Sequence, residues 1–596
     1  MRRHLLALCL LAPLPAAAEP LAEFHWAGSD AAAEAGYAGS RTEQLVDLME
    51  PERLADAADR VRAALLERNP DPDLAEGLAL LDRFWSVSWR SPVTAWFSAE
   101  LAPSGGVRWG VTDPADRAQL LKALRDLLAE VEDPPGWSVL EEPEAVSVVY
   151  GNAPAPEAPP AAEALLRLDV KVAPIVGFLA QAAEADLPPA EAQKLRAVLR
   201  VLDPASFRRL SYTQRFDEEG LWQTEVVVDA ERPRAGLAGL LIDTPAVEDA
   251  DLQVVPADAS LFTAFGLDLA GGFALAREAL RAADPEADAQ LAEALAQARD
   301  AAGVDLEADL LANLSPVHTL FQDPAAGGES FASLLFTNRL RDPDAFAAAA
   351  DEALGFLNAL VEAQTADMPL SGAAYTSEVG GVPVTTVPLP GVAPSFAVVD
   401  GVFVLGLYPQ SIAAALDRRD TGGGTILQRE DFADSLAEAR EEHLDGVTSV
   451  SFVDLPELAP ASYGSLLLVE HVGTGLASMA AREPVPPVLP PFGRVRPLLS
   501  PSYGFGAAGD GGWLAGSVAP FPGASLLGGG VGGGGGQVLL IVPGAVAGAF
   551  EELNANPHDD FSDDDFFFDD PVAPPAPPVA PPPAPGSVDP PPPPPF

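Results

Sequence analysis

The chain spells RSPVTAWF at Arg90–Phe97 and LSPVHTLF at Leu314–Phe321, so Ser-Pro-Val-x-x-x-Phe occurs twice, with Ser91 and Ser315 separated by 224 positions. The residues beyond each copy are also alike. Both continue as an alternating strand, a Gly-Gly turn (Gly105-Gly106, Gly327-Gly328), a second strand, and then Asp-Pro opening a helix. Asp113 and Asp342 are N-cap candidates, with Pro114 and Pro343 at the first helical position, where a missing N–H costs nothing. Leu120, Leu124, Leu127, Leu128 and Val131 then form one apolar stripe at helical spacing. The offset grows from 224 at the serines to 229 at the aspartates, and the extra residues fall at the hairpin turn, where insertions are tolerated.

The likeness extends outward. Upstream, QLVDLMEPERLADAADRVRAALLERNPDPD (Gln44–Asp73) parallels FGLDLAGGFALAREALRAADPEAD (Phe265–Asp288) as a strand ending Asp-Leu and then an amphipathic helix. Downstream, LRLDVKVAPIVGFL around Asp169 parallels VSFVDLPELAPASY around Asp454. Two hairpins then match, turning at Glu219-Gly220 and Asp510-Gly511, with Trp222 and Trp513 on the return strands. In this reading Phe97 corresponds to Phe321, and Asp47, Asp169, Asp268 and Asp454 each end a strand and cap a helix. Asp400-Gly401 sits between two apolar runs, a type I′ hairpin signal, and helices are expected over 409–418 and 431–441. Strands and helices interleave without the regular βαβ spacing. The expected fold class is therefore α+β, with antiparallel sheets and packed amphipathic helices, internally duplicated.

The expected organisation is a signal peptide over 1–18, copies over 19–245 and 246–527, a Gly-rich then apolar segment over 528–553, and a tail over 554–596. The signal reading rests on Arg2-Arg3, the short apolar core Leu5–Leu14 and the Ala16-Ala17-Ala18 cleavage site, and it implies export to the periplasm or cell surface. The single cysteine, Cys9, lies inside that core, which excludes thiol chemistry and cysteine-ligated metal from the mature chain. No charge occurs from Gly511 to Phe550, so membrane contact through 526–550 is a possible but not favoured reading. The tail combines Phe561, Phe566, Phe567 and Phe568 with aspartates and polyproline; it is expected to be disordered, with those phenylalanines as partner-docking anchors.

Thirty-five Lys and Arg stand against 87 Asp and Glu, giving −52, a field that repels nucleic acid and anionic lipid. The acidity fits either a salt-tolerant surface or compositional drift. Scattered histidines lack metal-ligand spacing, and no nucleophile elbow, Ser-x-x-Lys or phosphate loop is present. No catalytic residue, metal ligand or cofactor is therefore assigned. His318 has Thr94 at the matching position, so any catalytic role would belong to one copy alone.

Dispersed phrases across 146–527 carry a resemblance: LQVVPADASLFTAFGLDL, AGVDLEADLLANL, FAVVDGVFVLGLYPQSIAAAL and FVDLPELAPASY. They resemble a family of exported bacterial proteins with a domain of unknown function whose units open Leu-Pro-Ala-Asp-Thr. Here the opening is Val255–Ala259, with Ala259 for the usual Thr. The resemblance implies secretion and supplies no activity. The expected function is a non-enzymatic binding or scaffold module of the cell envelope, partnering an envelope protein. The alternatives are a carrier of an apolar ligand in a groove between the copies, since 48% of residues are hydrophobic and mean hydropathy is +0.14, or a carboxylate-based hydrolase of envelope glycan or peptide.

Overall fold

A computed structural model describes residues 20–522 and 524, except 69–71, 99–103, 130–135, 152–154, 329–330, 366–373, 390–391, 444–445, 482–483 and 487–488. The chain divides into 1–539 and 540–596, and all described residues lie in the former. The signal reading over 1–18, the 528–553 segment and the tail with its four phenylalanines lie outside the described residues.

In chain order the first half carries β1 (Ala22–Trp26), α1 (Arg41–Leu48), α2 (Pro51–Arg68), α3 (Pro72–Arg90), β2 (Val93–Ser98), β3 (Ser104–Gly110), α4 (Pro114–Ala129), β4 (Trp137–Glu142), β5 (Ala145–Tyr150), β6 (Leu166–Lys171), α5 (Val172–Asp186), α6 (Pro189–Leu202), β7 (Arg209–Phe216), β8 (Trp222–Asp229) and α7 (Gly236–Ile242). The second half carries β9 (Leu261–Gly266), α8 (Leu269–Ala283), α9 (Pro285–Ala302), β10 (Leu314–Gln322), β11 (Leu334–Leu340), α10 (Pro343–Thr365), β12 (Tyr375–Val379), β13 (Val382–Thr386), β14 (Ser395–Val399), β15 (Val402–Gly406), α11 (Pro409–Thr421), α12 (Glu430–Glu442), β16 (Val447–Val453), α13 (Leu455–Ala481), β17 (Ser502–Gly509) and β18 (Gly512–Ala519). Helices and an antiparallel sheet make this an α+β fold. Asp113 caps α4 through the backbone N–H of Ala115 and Asp116, and Asp342 caps α10 through that of Ala345. Asp400 (φ 50°) and Gly401 (φ 82°) turn β14 into β15 in the left-handed backbone a two-residue hairpin requires.

All strands pair antiparallel. From the seam outward the first half runs β8, β7, β6, β1, β2, β3, β5, β4. The second runs β18, β17, β16, β9, β10, β11, β15, β14, then β13 and β12. The seam itself is β8 against β18, from Trp222 opposite Ala519 to Asp229 opposite Gly512. A Cβ at Gly512 would lie 1.9 Å from the Val228 carbonyl oxygen, so glycine is what lets the strands approach there. The strands at the two ends, β4 and β12, are short and carry Glu141, Glu142 and Glu378, which discourages further strand addition.

Pairing register corrects the sequence alignment. With Trp222 set on Trp513, counting across the ladders puts Val93 at the place of His318, Thr94 at Thr319 and Trp96 at Phe321. Phe97 does not correspond to Phe321. Burial agrees: Trp96 and Phe321 are both buried, whereas Phe97 is half-buried against Phe178. The one-residue difference enters at the irregularity between Val447 and Ser449, where β16 pairs with β17 and one extra residue displaces everything counted beyond it. Two of the four repeated aspartates also differ from expectation. Asp47 lies inside α1, so the strand matching β9 is β1, and Asp169 lies within β6. Asp268 and Asp454 do precede helices.

One row of opposed residues shows how the two halves differ. It runs Arg108, Thr94, His25, Arg167, Thr213, Glu225, then across the seam Gly516, Phe505, Val450, Ala264, Thr319. The row is polar in the first half and largely apolar in the second. In the second half Ile412 and Leu416 of α11 and Phe432 and Leu436 of α12 pack onto this face, with Phe262, Phe452 and Val450 in one core. Phe262, Phe432 and Phe452 meet at ring separations of 5.0–6.1 Å. Between β5 and β6 the first half has no helix among the described residues, and its face is polar: His25 and Thr94 are buried there and hydrogen-bonded to each other at 3.1 Å.

His318 shows why a buried histidine in a repeated strand need not act. It is 1% exposed between the rings of Phe265 and Phe336. Its Nδ1 accepts from the Asn338 amide at 3.0 Å, which assigns the proton to Nε2, the donor to the Leu267 carbonyl at 2.8 Å. Burial lowers its pKa below 6.5 and outweighs the carbonyl, which favours the charged ring. An unfolded His binds a proton near 6.5 that the folded one refuses. The contribution is thus whole above that pH and is lost as pH falls toward the folded value. Stability should therefore fall as pH drops below 6.5, by at most about 1.4 kcal/mol per pH unit from this group. His318→Gln should flatten that slope; an unchanged slope would assign the acid sensitivity elsewhere.

Candidate functional site

The segment that leaves β8 crosses to the second half and builds a cleft there. Arg234 fixes it: the side chain is fully buried, donates to the carbonyls of Ala230 (2.6 Å), Gly509 and Asp510 (3.1 Å), and pairs with Asp243 at 2.6 Å. Gly236, at φ +54°, passes so close to the Leu202 carbonyl that a Cβ would sit 2.3 Å from its oxygen. At the far end a Cβ on Gly266 would meet Thr244 at 2.5 Å, so glycine lets this segment lie on the end of β9.

The resulting cleft has a volume of about 510 Å³ between α7 and the first turns of α8. Its apolar wall is Leu240, Pro245, Ala274, Leu275 and Pro316, and its polar groups are Arg234, Asp243, Thr244, Asp268, Glu278 and Arg341. Residues from both halves line it. Asp243 is neutralised by Arg232 and Arg234. Asp268 and Glu278 have no ion-pair partner among the described residues, and Arg341 donates only to the Ala312 carbonyl and, through its backbone, to that of Asn313. A Cβ at Gly271 would lie 2.6 Å from Asp268 Oδ2, so the glycine leaves that carboxylate room above the helix. The unbalanced charge is about one unit negative beside an apolar wall, a combination suited to an amphipathic ligand with a cationic group.

A second polar cluster sits on the polar sheet face of the first half. Asp169 accepts from Arg209 (2.6 Å) and Arg167 (2.5 Å) and from the Ser211 hydroxyl. Burial by itself would raise its pKa, but these three hydrogen bonds outweigh it and hold the carboxyl below the ordinary range. Its functional groups satisfy one another, and in the second half register puts Val450, Phe452 and Tyr503 at the places of Arg167, Asp169 and Ser211. The cluster is a self-satisfied group on the polar face of the sheet, around a buried carboxylate.

Among the described residues no group of three or more His, Asp or Glu is placed to hold a metal. The cleft residues were not legible in the sequence, because Arg234–Pro245, Asp268 and Arg341 meet only through the fold. The sole local signals were Gly236, Gly266 and Gly271, each needed for a close approach. Comparison with known proteins finds no matching family, no matching curated protein and no matching solved structure.

Proposed function

We propose that the protein is an exported, non-enzymatic binding protein of the cell envelope, made of two copies of one duplicated unit, with its ligand site in the cleft between them. The Arg2-Arg3 start, apolar core and Ala-x-Ala site support export. The shared strand order from each side of the seam, and the paired hairpin tryptophans Trp222 and Trp513, support duplication. The resemblance of the Val255–Ala259 opening to exported bacterial proteins points the same way.

The observation that carries the binding reading is the cleft, where an apolar wall faces two carboxylates without ion-pair partners among the described residues. An acceptor for a cationic, partly apolar small molecule or peptide end fits that chemistry better than a scaffold with no site. Native mass spectrometry of exported protein should show a small-molecule adduct. Ala274→Trp, at an exposed helix position lining the cleft, should remove the adduct while leaving the melting temperature unchanged. Adduct-free wild type, or an adduct kept by the variant, would overturn the assignment.

A further inference from the structure

We propose that the outer face of α13 rests in the headgroup layer of an uncharged, zwitterionic lipid bilayer. Leu468, Val469, Val472, Leu476 and Met479 are each 55–76% exposed and recur at helical spacing on one side of this helix. The opposite side faces the protein: Tyr463 is buried, its hydroxyl donating to the Pro490 carbonyl, and the Ser478 hydroxyl accepts from the Val485 N–H at 2.9 Å.

Charge selects the occupant. The chain is strongly acidic, yet between Glu457 and Glu483 its sole acidic residue is Glu470. That carboxylate is turned inward, 8% exposed, accepting from the Leu489 N–H at 2.7 Å. Over residues 458–481 the outer face thus presents no carboxylate to a surface, and among the described residues of that stretch His471 is the titratable group that flanks it. A net −52 would repel anionic lipid, which leaves zwitterionic headgroups. A second copy is a poor fit. Five side chains at roughly 120 Å² each fall below the about 800 Å² per partner of a stable interface, and each copy carries the same negative field. Among the described residues no helix is long and apolar enough to cross a membrane, so the geometry is that of a helix lying in the interface.

The test is flotation of the full chain with phosphatidylcholine vesicles at physiological salt. Wild type should co-float, and admixed phosphatidylserine should weaken binding. The double variant Val472→Glu, Leu476→Glu should partition at least about tenfold less at an unchanged melting temperature, since both positions are exposed. Wild type that stays out of the vesicles, or a double variant that floats equally, overturns the proposal. So does sedimentation showing dimeric wild type and monomeric variant, which would make the occupant a second copy.

Discussion

Phe321→Ala should destabilise the protein by about 3–5 kcal/mol, and Phe97→Ala by less than half as much. Both phenylalanines close the same seven-residue phrase, so sequence alone ranks them equal. Phe321 is 2% exposed and lies in the core with Phe262, Leu335 and Val317. Truncating it opens a cavity under α11 and α12 that a tightly packed neighbourhood cannot refill. Phe97 is half-buried, touching Phe178 edge-on at 6.4 Å, where water can replace part of what is lost. Trp96 stands at the ladder position of Phe321 and is 5% exposed, so Trp96→Ala should be the costly change in the first half. Equal losses for the two phenylalanines in chemical denaturation would show that the register is wrong.

Arg418→Met should cost a similar about 3–5 kcal/mol, by a different route. Its guanidinium holds Asp323 through Nη2 at 2.6 Å and Nε at 3.3 Å, and reaches Asp258 at 2.8 Å. Asp323 is 1% exposed and otherwise accepts from the Ala325 N–H that it caps. Removing Arg418 strands that carboxylate in the interior. Adding Asp323→Asn should recover much of the loss, because the stranded charge is the larger part of it. Arg419, one residue on, pairs with exposed Asp420, and Arg419→Met should cost under about 1 kcal/mol. If Arg418→Met proves equally mild, Asp323 is not held as described.

Features set by neighbours in the chain were legible in the sequence. The capping aspartates Asp113 and Asp342, the Asp400-Gly401 turn, the hairpins ending in Trp222 and Trp513, and the helices 409–421 and 430–442 each follow from a short run of residues. Features set by pairing were not. The irregularity between β16 and β17 at Val447–Ser449 shifts side-chain parity without changing composition, which is why the Phe97–Phe321 match misled. Asp169 precedes a helical pattern by only a few residues, and nothing local says that the strand continues past it to Lys171. The seam between β8 and β18 brings together residues nearly 300 positions apart, and the cleft depends on that union.

The seam is therefore the most direct thing to test. In protein beginning at residue 19 no cysteine is present, so paired substitutions report cleanly. Glu225 faces Gly516, and Thr224 faces Ser517, in adjacent pairs of opposite hydrogen-bonding type, one of which has the closer side-chain spacing a disulfide needs. Mild oxidation should close an intramolecular disulfide in at least one of the doubles Glu225→Cys/Gly516→Cys and Thr224→Cys/Ser517→Cys, and not in the off-register double Glu225→Cys/Val518→Cys. Failure of both in-register pairs, or equal closure of the off-register one, would contradict a single sheet shared by the two halves.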